Sequence, residues 1–425
     1  MKRGYRIILK LGIVLASLVA AGVVAMAILG IDEDPPDDSD MQVTWADIPE
    51  ADNAFTYFNQ AAQKLYWPDE NRTKPLLGML SGETWDDALA KEVLERNSET
   101  LALFEKGMAR PQFQFPDQRK SSLQMVPWVK ITQLASVRAA ATYRAGRHEQ
   151  AFDEALQLVR FGYLCENGRG GLTGNLIGIG ARVLGTRLIQ RMLPQTNLGA
   201  EKLQRIAAQL AACSADGKGM ADAMRIEYLC VIYRQETIFG ELVSRRAPSP
   251  ANLAYPRQFL WSRFVYKPNE TKRMLLESLR VEVQNATKVY MQIHHPALRF
   301  GPQEGESSWW YVAKRCASGN GIGKLLSGLP APALVPQIDG ACMDRVPTRA
   351  TSVLVALKAC KAKTGRLPQS LAELVPEYLA AVPVDDMDGK PLRYSPEKKV
   401  VYSVGKDLAD DGGSKDKDIV FEIEF

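Results

Sequence analysis

An uncharged apolar run near the N-terminus constrains this chain more than any other feature. Residues 11–31 read LGIVLASLVAAGVVAMAILGI and contain no charged side chain. A helix rises about 1.5 Å per residue, so a run of this length covers the roughly 30 Å hydrocarbon core of a bilayer. The sequence therefore predicts a single transmembrane anchor, with residues 1–31 forming a basic tip and the span.

The charges on the two sides of the span predict its orientation. Basic residues precede it, namely Lys2, Arg3, Arg6 and Lys10, and acidic residues follow it, namely Asp32, Glu33, Asp34, Asp37, Asp38 and Asp40. Because basic flanks stay in the cytoplasm, we expect a single-pass protein of the bacterial inner membrane, with its N-terminus inside and its bulk in the periplasm. Residues 32–45 read as an acidic linker, solvated and extended by self-repulsion.

A cleaved signal peptide is the alternative to a retained anchor. Ala25-Met26-Ala27 has the small residues that a signal peptidase site needs. However, the apolar run exceeds the roughly 7–15 residues of a signal h-region. The retained anchor is therefore the favoured interpretation.

Composition argues against nucleic-acid and nucleotide partners. The net charge of +4 is small for 425 residues, whereas nucleic-acid-binding domains carry a concentrated basic patch. The segment from Asn320 to Lys324 is followed by Leu325 and not by the Ser or Thr of a phosphate loop. We expect instead the membrane and a protein of the cell envelope as partners.

Residues 46–330 carry mostly the 3.6-residue period of amphipathic helices, as in the stripe of Ala54, Phe58 and Ala61. Asp52 and Thr84 are positioned to cap two of these helices. The segment 137–161, with a turn at Gly146, resembles one tetratricopeptide helix pair, but no second copy follows at a period of about 34 residues. An irregular antiparallel helical array is therefore predicted.

Small residues recur in the segment 171–193, at Gly174, Gly178, Ala181 and Gly185. The G-x-G-x-x-G pattern of a dinucleotide site is not matched. A helical face without bulky side chains lets another helix approach closely, so we expect close helix packing here.

Catalytic motifs do not stand out in the sequence. It contains three histidines, without H-E-x-x-H, and no G-x-S-x-G. A pair of catalytic carboxylates needs only to meet in space, so an extracytoplasmic hydrolase with its carboxylates in the helical domain stays open. A non-catalytic role is the more strongly expected one.

Residues 331–425 predict a small α+β domain with an antiparallel sheet. An amphipathic helix covers residues 350–363, and Ser370 and Glu373 stand in capping-box register. Alternating residues then predict strands at 392–394, 400–404 and 419–423. The whole chain is thus expected to be mostly α.

Three motifs of this segment give it a resemblance to a known family. They are G-R-L-P-x-S-L-x-x-L, P-x-D-x-x-x-G-K-P-L-x-Y, and Y-S-V-G-x-D followed by D-x-D-I. In combination they resemble the C-terminal domain of the major pseudopilin of type II secretion, over about the last 80 residues. That family has a long helix on a small antiparallel sheet and a calcium-binding loop between the last strands.

The resemblance implies a calcium site in this chain. The matching positions are the carbonyl of Val404 and the carboxylates of Asp407, Asp416 and Asp418. Independently, five aspartates between residues 407 and 418 repel one another unless they are solvated or neutralised by a cation, and calcium takes six to eight oxygen ligands. A solvated acidic loop is the alternative.

The chain departs from pseudopilins in two respects. It lacks their G-F-T-L-I-E processing signature, and a long helical body separates the span from the pseudopilin-like tail. The layout as a whole resembles an uncharacterised family of planctomycete and verrucomicrobial membrane proteins. We therefore expect a non-catalytic interaction or scaffold protein with a calcium-stabilised tail. There are two alternatives: an extracytoplasmic hydrolase, and an accessory of a type II secretion or pilus-like system.

Overall fold

The computed structural model describes residues 2–121, 124–244, 263–295, 307–317, 319–327 and 331–425. The described part is predominantly helical and carries one three-stranded antiparallel sheet near the C-terminus, which confirms the predicted fold class. Its α-helices are α1 (Lys2–Leu29), α2 (Ala54–Lys64), α3 (Glu70–Ser81), α4 (Asp87–Arg96), α5 (Ser98–Met108), α6 (Met125–Arg144), α7 (His148–Asn167), α8 (Gly171–Met192), α9 (Ala200–Ala212), α10 (Lys218–Ser244), α11 (Pro268–Asn285), α12 (Ser308–Ala317), α13 (Gly321–Leu326) and α14 (Ala331–Thr364). The strands are β1 (Arg393–Ser395), β2 (Val400–Ser403) and β3 (Ile419–Glu422).

The described residues fall into two compact units. Unit 1 is drawn from Met1–Gln42, Tyr228–Glu282 and His295–Pro336, and unit 2 from Val43–Glu227, Val283–His294 and Gln337–Phe425. The domain boundaries expected from composition remain predictions.

Helix α1 is long and apolar enough to cross a membrane. Its candidate span runs from Ile7 to Leu29, and none of the apolar window within it is buried against the rest of the protein. Large side chains such as Ile8, Leu15 and Leu18 are exposed. An apolar surface of this size, which the described residues leave uncovered, suits an apolar environment.

Helices α6 and α7 form the expected hairpin. The turn between them contains Gly146 at a φ of 78°, a left-handed conformation that glycine adopts at little cost. The prediction of a repeat-like helix pair with a turn at this residue is confirmed.

The small-residue face of α8 packs closely against α7, as predicted. A Cβ on Gly178 would lie 2.5 Å from the carbonyl oxygen of Gly162, and one on Gly185 would lie 2.7 Å from the carbonyl oxygen of Ala155. Side chains at either glycine would therefore separate the two helices.

The caps expected at Asp52 and Thr84 are each displaced along the chain. The side chain of Asn53 accepts from the amide of Phe55 at the start of α2, and Asp86 accepts from the amide of Leu89 at the start of α4. Asn53 also bonds the backbone of Gln114, a long-range contact that fixes the start of α2 and that local patterns do not reveal.

The C-terminal sheet has the order β1-β2-β3, and all pairs are antiparallel. Val401 in the central strand pairs with Tyr394 and Phe421. Val401 shares a hydrophobic cluster with Val353 and Leu357 of α14. The three strands lie within one residue of their predicted positions, and the capping box of Ser370 and Glu373 is confirmed.

Candidate functional site

The acidic residues that follow α1 are bound to basic side chains of α11. We call residues 32–40 the acidic strap. Glu33 Oε1 lies 2.6 Å from Arg273 Nε, and Asp38 Oδ2 lies 2.8 Å from Lys272 Nζ. Asp40 accepts from Arg280 Nε at 2.9 Å, about two turns further along α11. The structure therefore differs from the solvated linker expected from sequence, because opposite charges on α11 neutralise the repulsion within the strap.

The first strap residue caps α11. The carboxylate of Asp32 accepts hydrogen bonds from the backbone N–H groups of Asn269 and Glu270, both at 3.1 Å. The first N–H groups of a helix have no partner within it, and an acidic side chain there also interacts favourably with the helix dipole. The cap comes from a distant part of the chain, so it joins the end of α1 to the start of α11.

The strap also holds a hydrogen-bonded tyrosine. The Tyr228 hydroxyl donates to Asp38 Oδ2 at 2.8 Å. Burial, and then the neighbouring Asp38 carboxylate, raise the pKa of Tyr228. Burial opposes ionisation of Asp38, but hydrogen bonds from Lys272 and Tyr228 hold the pKa of Asp38 below its ordinary value. Asp38 is therefore an ionised group held at the centre of the strap.

The predicted calcium ligands lie on one loop but differ in their surroundings. Asp418 is buried, and its Oδ2 accepts from the amides of Gly413 and Ser414, both at 2.8 Å. Asp407 Oδ1 accepts from the amide of Ala409 at 3.1 Å, and Asp416 is exposed. The amide of Val404 donates to Asp385 Oδ2.

Three observations test whether this loop fits a calcium ion. Asp418 Oδ1 is buried and has no hydrogen-bond partner, which leaves one acceptor for a cation. The Lys417 ammonium, in contrast, pairs with Asp411 at 3.0 Å and already neutralises part of the loop. Among the described residues, no three His, Cys, Asp or Glu side chains converge as in a metal site. The calcium site stays a prediction that Asp418 supports best.

A buried carboxylate that sequence reasoning missed organises the same region. Asp385 is fully buried, and its Oδ1 accepts from the Ser403 hydroxyl at 2.7 Å and the Met387 amide at 3.0 Å. Its Oδ2 accepts from Arg393 Nη1 at 2.8 Å and the Val404 amide at 3.1 Å. The P-x-D-x-x-x-G-K-P-L-x-Y motif contains Asp385, and the role of its aspartate is to join β1, β2 and the preceding turn.

The neighbouring Asp386 forms a second buried charged group. Arg345 Nε and Arg349 Nη1 of α14 each lie 3.0 Å from one of its oxygens. Burial raises the pKa of Asp386, although both arginines oppose this shift. Asp386 thus ties the turn before β1 to α14, while Asp385 holds β1 and β2 together.

A third buried charged group lies inside the helical body. Glu166 Oε1 of α7 lies 2.7 Å from Arg182 Nε of α8, and Arg182 Nη1 donates to the carbonyl oxygen of Asp344 at 2.7 Å. Burial raises the pKa of Glu166 in spite of this arginine. The adjoining cavity is about 10 Å³, which is room for about one water molecule. The geometry therefore suits a structural cross-link between three helices better than a substrate site.

An open groove lies between α7 and α9. It has a volume of about 520 Å³, and its walls include Leu156, Gln157, Arg160 and Ala212. Gln157 Oε1 is buried there without a hydrogen-bond partner. The groove combines the apolar side chains of Leu156 and Ala212 with the exposed Arg160, and the buried Gln157 Oε1 reaches an occupant only if that side chain rotates.

Comparisons with protein-family models, with curated proteins and with solved structures found no match.

Proposed function

We propose that this chain is a membrane-tethered interaction protein whose body stands on the extracytoplasmic side of a bacterial inner membrane. The exposed apolar surface of α1 carries the proposal, since its window is entirely unburied over a length that spans a bilayer. The basic residues before the span and the acidic strap after it favour a cytoplasmic N-terminus.

The strap supports a tether that holds unit 1 close to the membrane. Asp32 follows the end of α1 by three residues and caps α11. Such a short connection leaves little freedom between the span and α11, in contrast to a long solvated linker. Unit 1 held in this way presents its own surfaces at a defined place on the membrane.

We assign the docking of an envelope protein to the groove between α7 and α9, with a peptide segment as the occupant. Leu156 supplies apolar contact, and rotation of the Gln157 side chain on binding would bring its unpartnered Oε1 to a backbone N–H of the peptide. Arg160 is exposed at the edge of the groove and favours an acidic residue in the segment.

Site-specific crosslinking in native membranes tests this role. A photo-reactive residue at Arg160 is expected to capture a peptide of an envelope protein, identified by mass spectrometry, whereas the same residue at exposed Glu95 on α4 is the matched control. Ala212→Arg fills the groove from an exposed position and is expected to abolish the adduct. Equal capture at both positions, or capture that survives Ala212→Arg, would contradict the docking role.

An extracytoplasmic hydrolase is the second candidate. The raised pKa of Glu166 favours it, because a general acid near neutral pH needs such a shift. The small cavity beside Glu166 weighs against it, since a substrate would have to displace packed helices. Hydrolytic activity that the wild type shows and Glu166→Gln loses, while the variant keeps the wild-type unfolding temperature, would support this candidate.

The C-terminal module supplies the third element of the proposal. We propose that calcium, held by the Val404 carbonyl, Asp407, Asp416 and Asp418, stabilises this module. The buried, unpartnered Oδ1 of Asp418 supports a cation there. A role as an accessory of a type II secretion or pilus-like system rests on the resemblance of this module, and capture of such a component at the groove would support it.

A further inference from the structure

Two neighbouring tryptophans are exposed on α12. The exposed fractions are 74% for Trp309 and 55% for Trp310, and their ring centroids are 6.2 Å apart. Large adjacent aromatic side chains on a surface indicate a contact site. Tryptophan in particular is enriched at the interface of a bilayer, because its ring is apolar and its N–H is polar.

The C-terminal end of α12 lies where the membrane helix ends. Gly319 follows α12 by two residues, at a φ of 72°. A Cβ placed on it would lie 3.3 Å from the carbonyl oxygen of Leu29, the last residue of α1. The positive φ favours glycine here, and the short distance places the segment that follows α12 beside the end of α1.

A second segment holds the same junction together. The amide of Asn320 donates to the carbonyl oxygen of Phe264 at 2.7 Å, and a Cβ on Gly30 would lie 3.1 Å from the Cβ of Arg263. The exit of α1 is thus packed against residues 263–264 and 319–320 within unit 1.

Trp309 and Trp310 lie near the start of the ten-residue α12, about 10–12 Å along its axis from Ala317. Each polar layer of a bilayer is roughly 5–8 Å thick. The two tryptophans therefore stay within that layer when α12 lies close to the membrane plane. The exposed Lys314 in its last turn adds a cation suited to lipid phosphates.

We propose that α12 is a second membrane contact, which lies in the interface of the same bilayer and inserts Trp309 and Trp310 among the lipid headgroups. The inference rests on the membrane tether proposed above, and the occupant of this surface is lipid. The experiment must distinguish lipid from two other occupants of this surface, a second copy of the chain and a different protein.

Fluorescence quenching by brominated lipids tests the contact in the full-length chain. The protein is reconstituted into vesicles of phosphatidylcholine and phosphatidylglycerol, with bromine either near the headgroup or near the end of the acyl chain. The difference between the wild type and the double variant Trp309→Phe with Trp310→Phe isolates the two indoles. Both side chains are exposed, so the variant is expected to unfold at the wild-type temperature.

The difference signal is expected to lose most of its intensity with bromine near the headgroup and less with bromine near the end of the acyl chain. Iodide added on both sides of the vesicle membrane is expected to leave the difference signal unquenched. The matched control is Trp67→Phe with Trp85→Phe, two half-buried tryptophans of unit 2. Their difference signal is expected to show no such depth dependence.

Two results would overturn the inference. Accessibility of the difference signal to iodide would place the tryptophans in water, and shielding from both iodide and bromine would show that protein covers them. Alkaline extraction of the same vesicles tests the membrane tether separately, because it removes proteins that no transmembrane helix holds. Protein that resists extraction but shows no quenching leaves the tether intact and refutes the contact of α12.

Discussion

Asp32 Oδ1 accepts a hydrogen bond at 3.1 Å from the backbone N–H of Glu270, which lies 238 residues further along the chain. Asp32 belongs to the acidic strap and Glu270 to the first turn of α11. The bond makes the segment that follows α1 a part of the folded body. The strap is thus a short, charge-matched connection between α1 and α11.

The cap at Asp32 predicts a local loss of stability when it is removed. Asp32→Ala is expected to cost about 1 kcal/mol and to speed amide exchange in the first turn of α11 roughly fivefold, because two helix N–H groups lose their acceptor. Hydrogen exchange with mass spectrometry measures this. Asp34→Ala is the control, since Asp34 is exposed in the same strap. Equal exchange in both variants would contradict the cap.

The four hydrogen bonds to Asp385 predict a large effect in the C-terminal module. Asp385→Ala is expected to destabilise the module by about 3 kcal/mol or more, because it leaves buried donors and the Arg393 cation without this partner. Urea denaturation followed by limited proteolysis reports the loss. Glu397→Ala, at an exposed turn position, is expected to behave as the wild type. A mild effect at Asp385 would mean that Asp388 alone satisfies Arg393.

Calcium is expected to stabilise the chain through the loop that contains Asp418. At a free concentration ten times its dissociation constant, calcium adds about 1.4 kcal/mol, which thermal unfolding detects against a chelator. Asp407→Ala and Asp418→Asn are expected to remove the response, while exposed Glu424→Gln keeps it. Identical unfolding temperatures in calcium and chelator would refute the site.

Glu166 predicts a dependence of stability on pH. Its pKa is raised in the folded state by burial, so the unfolded state releases this proton first as the pH rises. The contribution of Glu166 to stability therefore falls with increasing pH between the ordinary glutamate pKa of about 4.3 and the raised value. Urea denaturation across this window is expected to show a smaller decline in Glu166→Gln than in the wild type. Parallel pH curves would contradict the raised pKa.

Local sequence patterns were sufficient for most of the secondary structure. The three strands and the capping box of Ser370 and Glu373 depend on neighbours a few residues apart. The close packing at Gly178 follows from the spacing of small residues along one helix. In each case the information that determines the structure lies within a short segment.

The features that the sequence did not reveal depend on distant partners. The strap looks like a solvated linker until Lys272, Arg273 and Arg280 are placed beside it. The aspartates of the predicted calcium loop are close in sequence, but the left-handed residues Leu408, Gly412 and Gly413 turn the chain between them. Where each carboxylate points is set by this backbone path, which residue spacing does not determine.

Protease accessibility in spheroplasts tests the central claim, a retained anchor with the body outside the cytoplasm. The chain carries one epitope tag at each end, and protease is added before or after lysis of the inner membrane. We predict that the C-terminal tag is lost in intact spheroplasts while a small fragment with the N-terminal tag and the span survives in the membrane. A C-terminal tag that is protected until lysis, or a mature protein released without its N-terminal tag, would contradict the account.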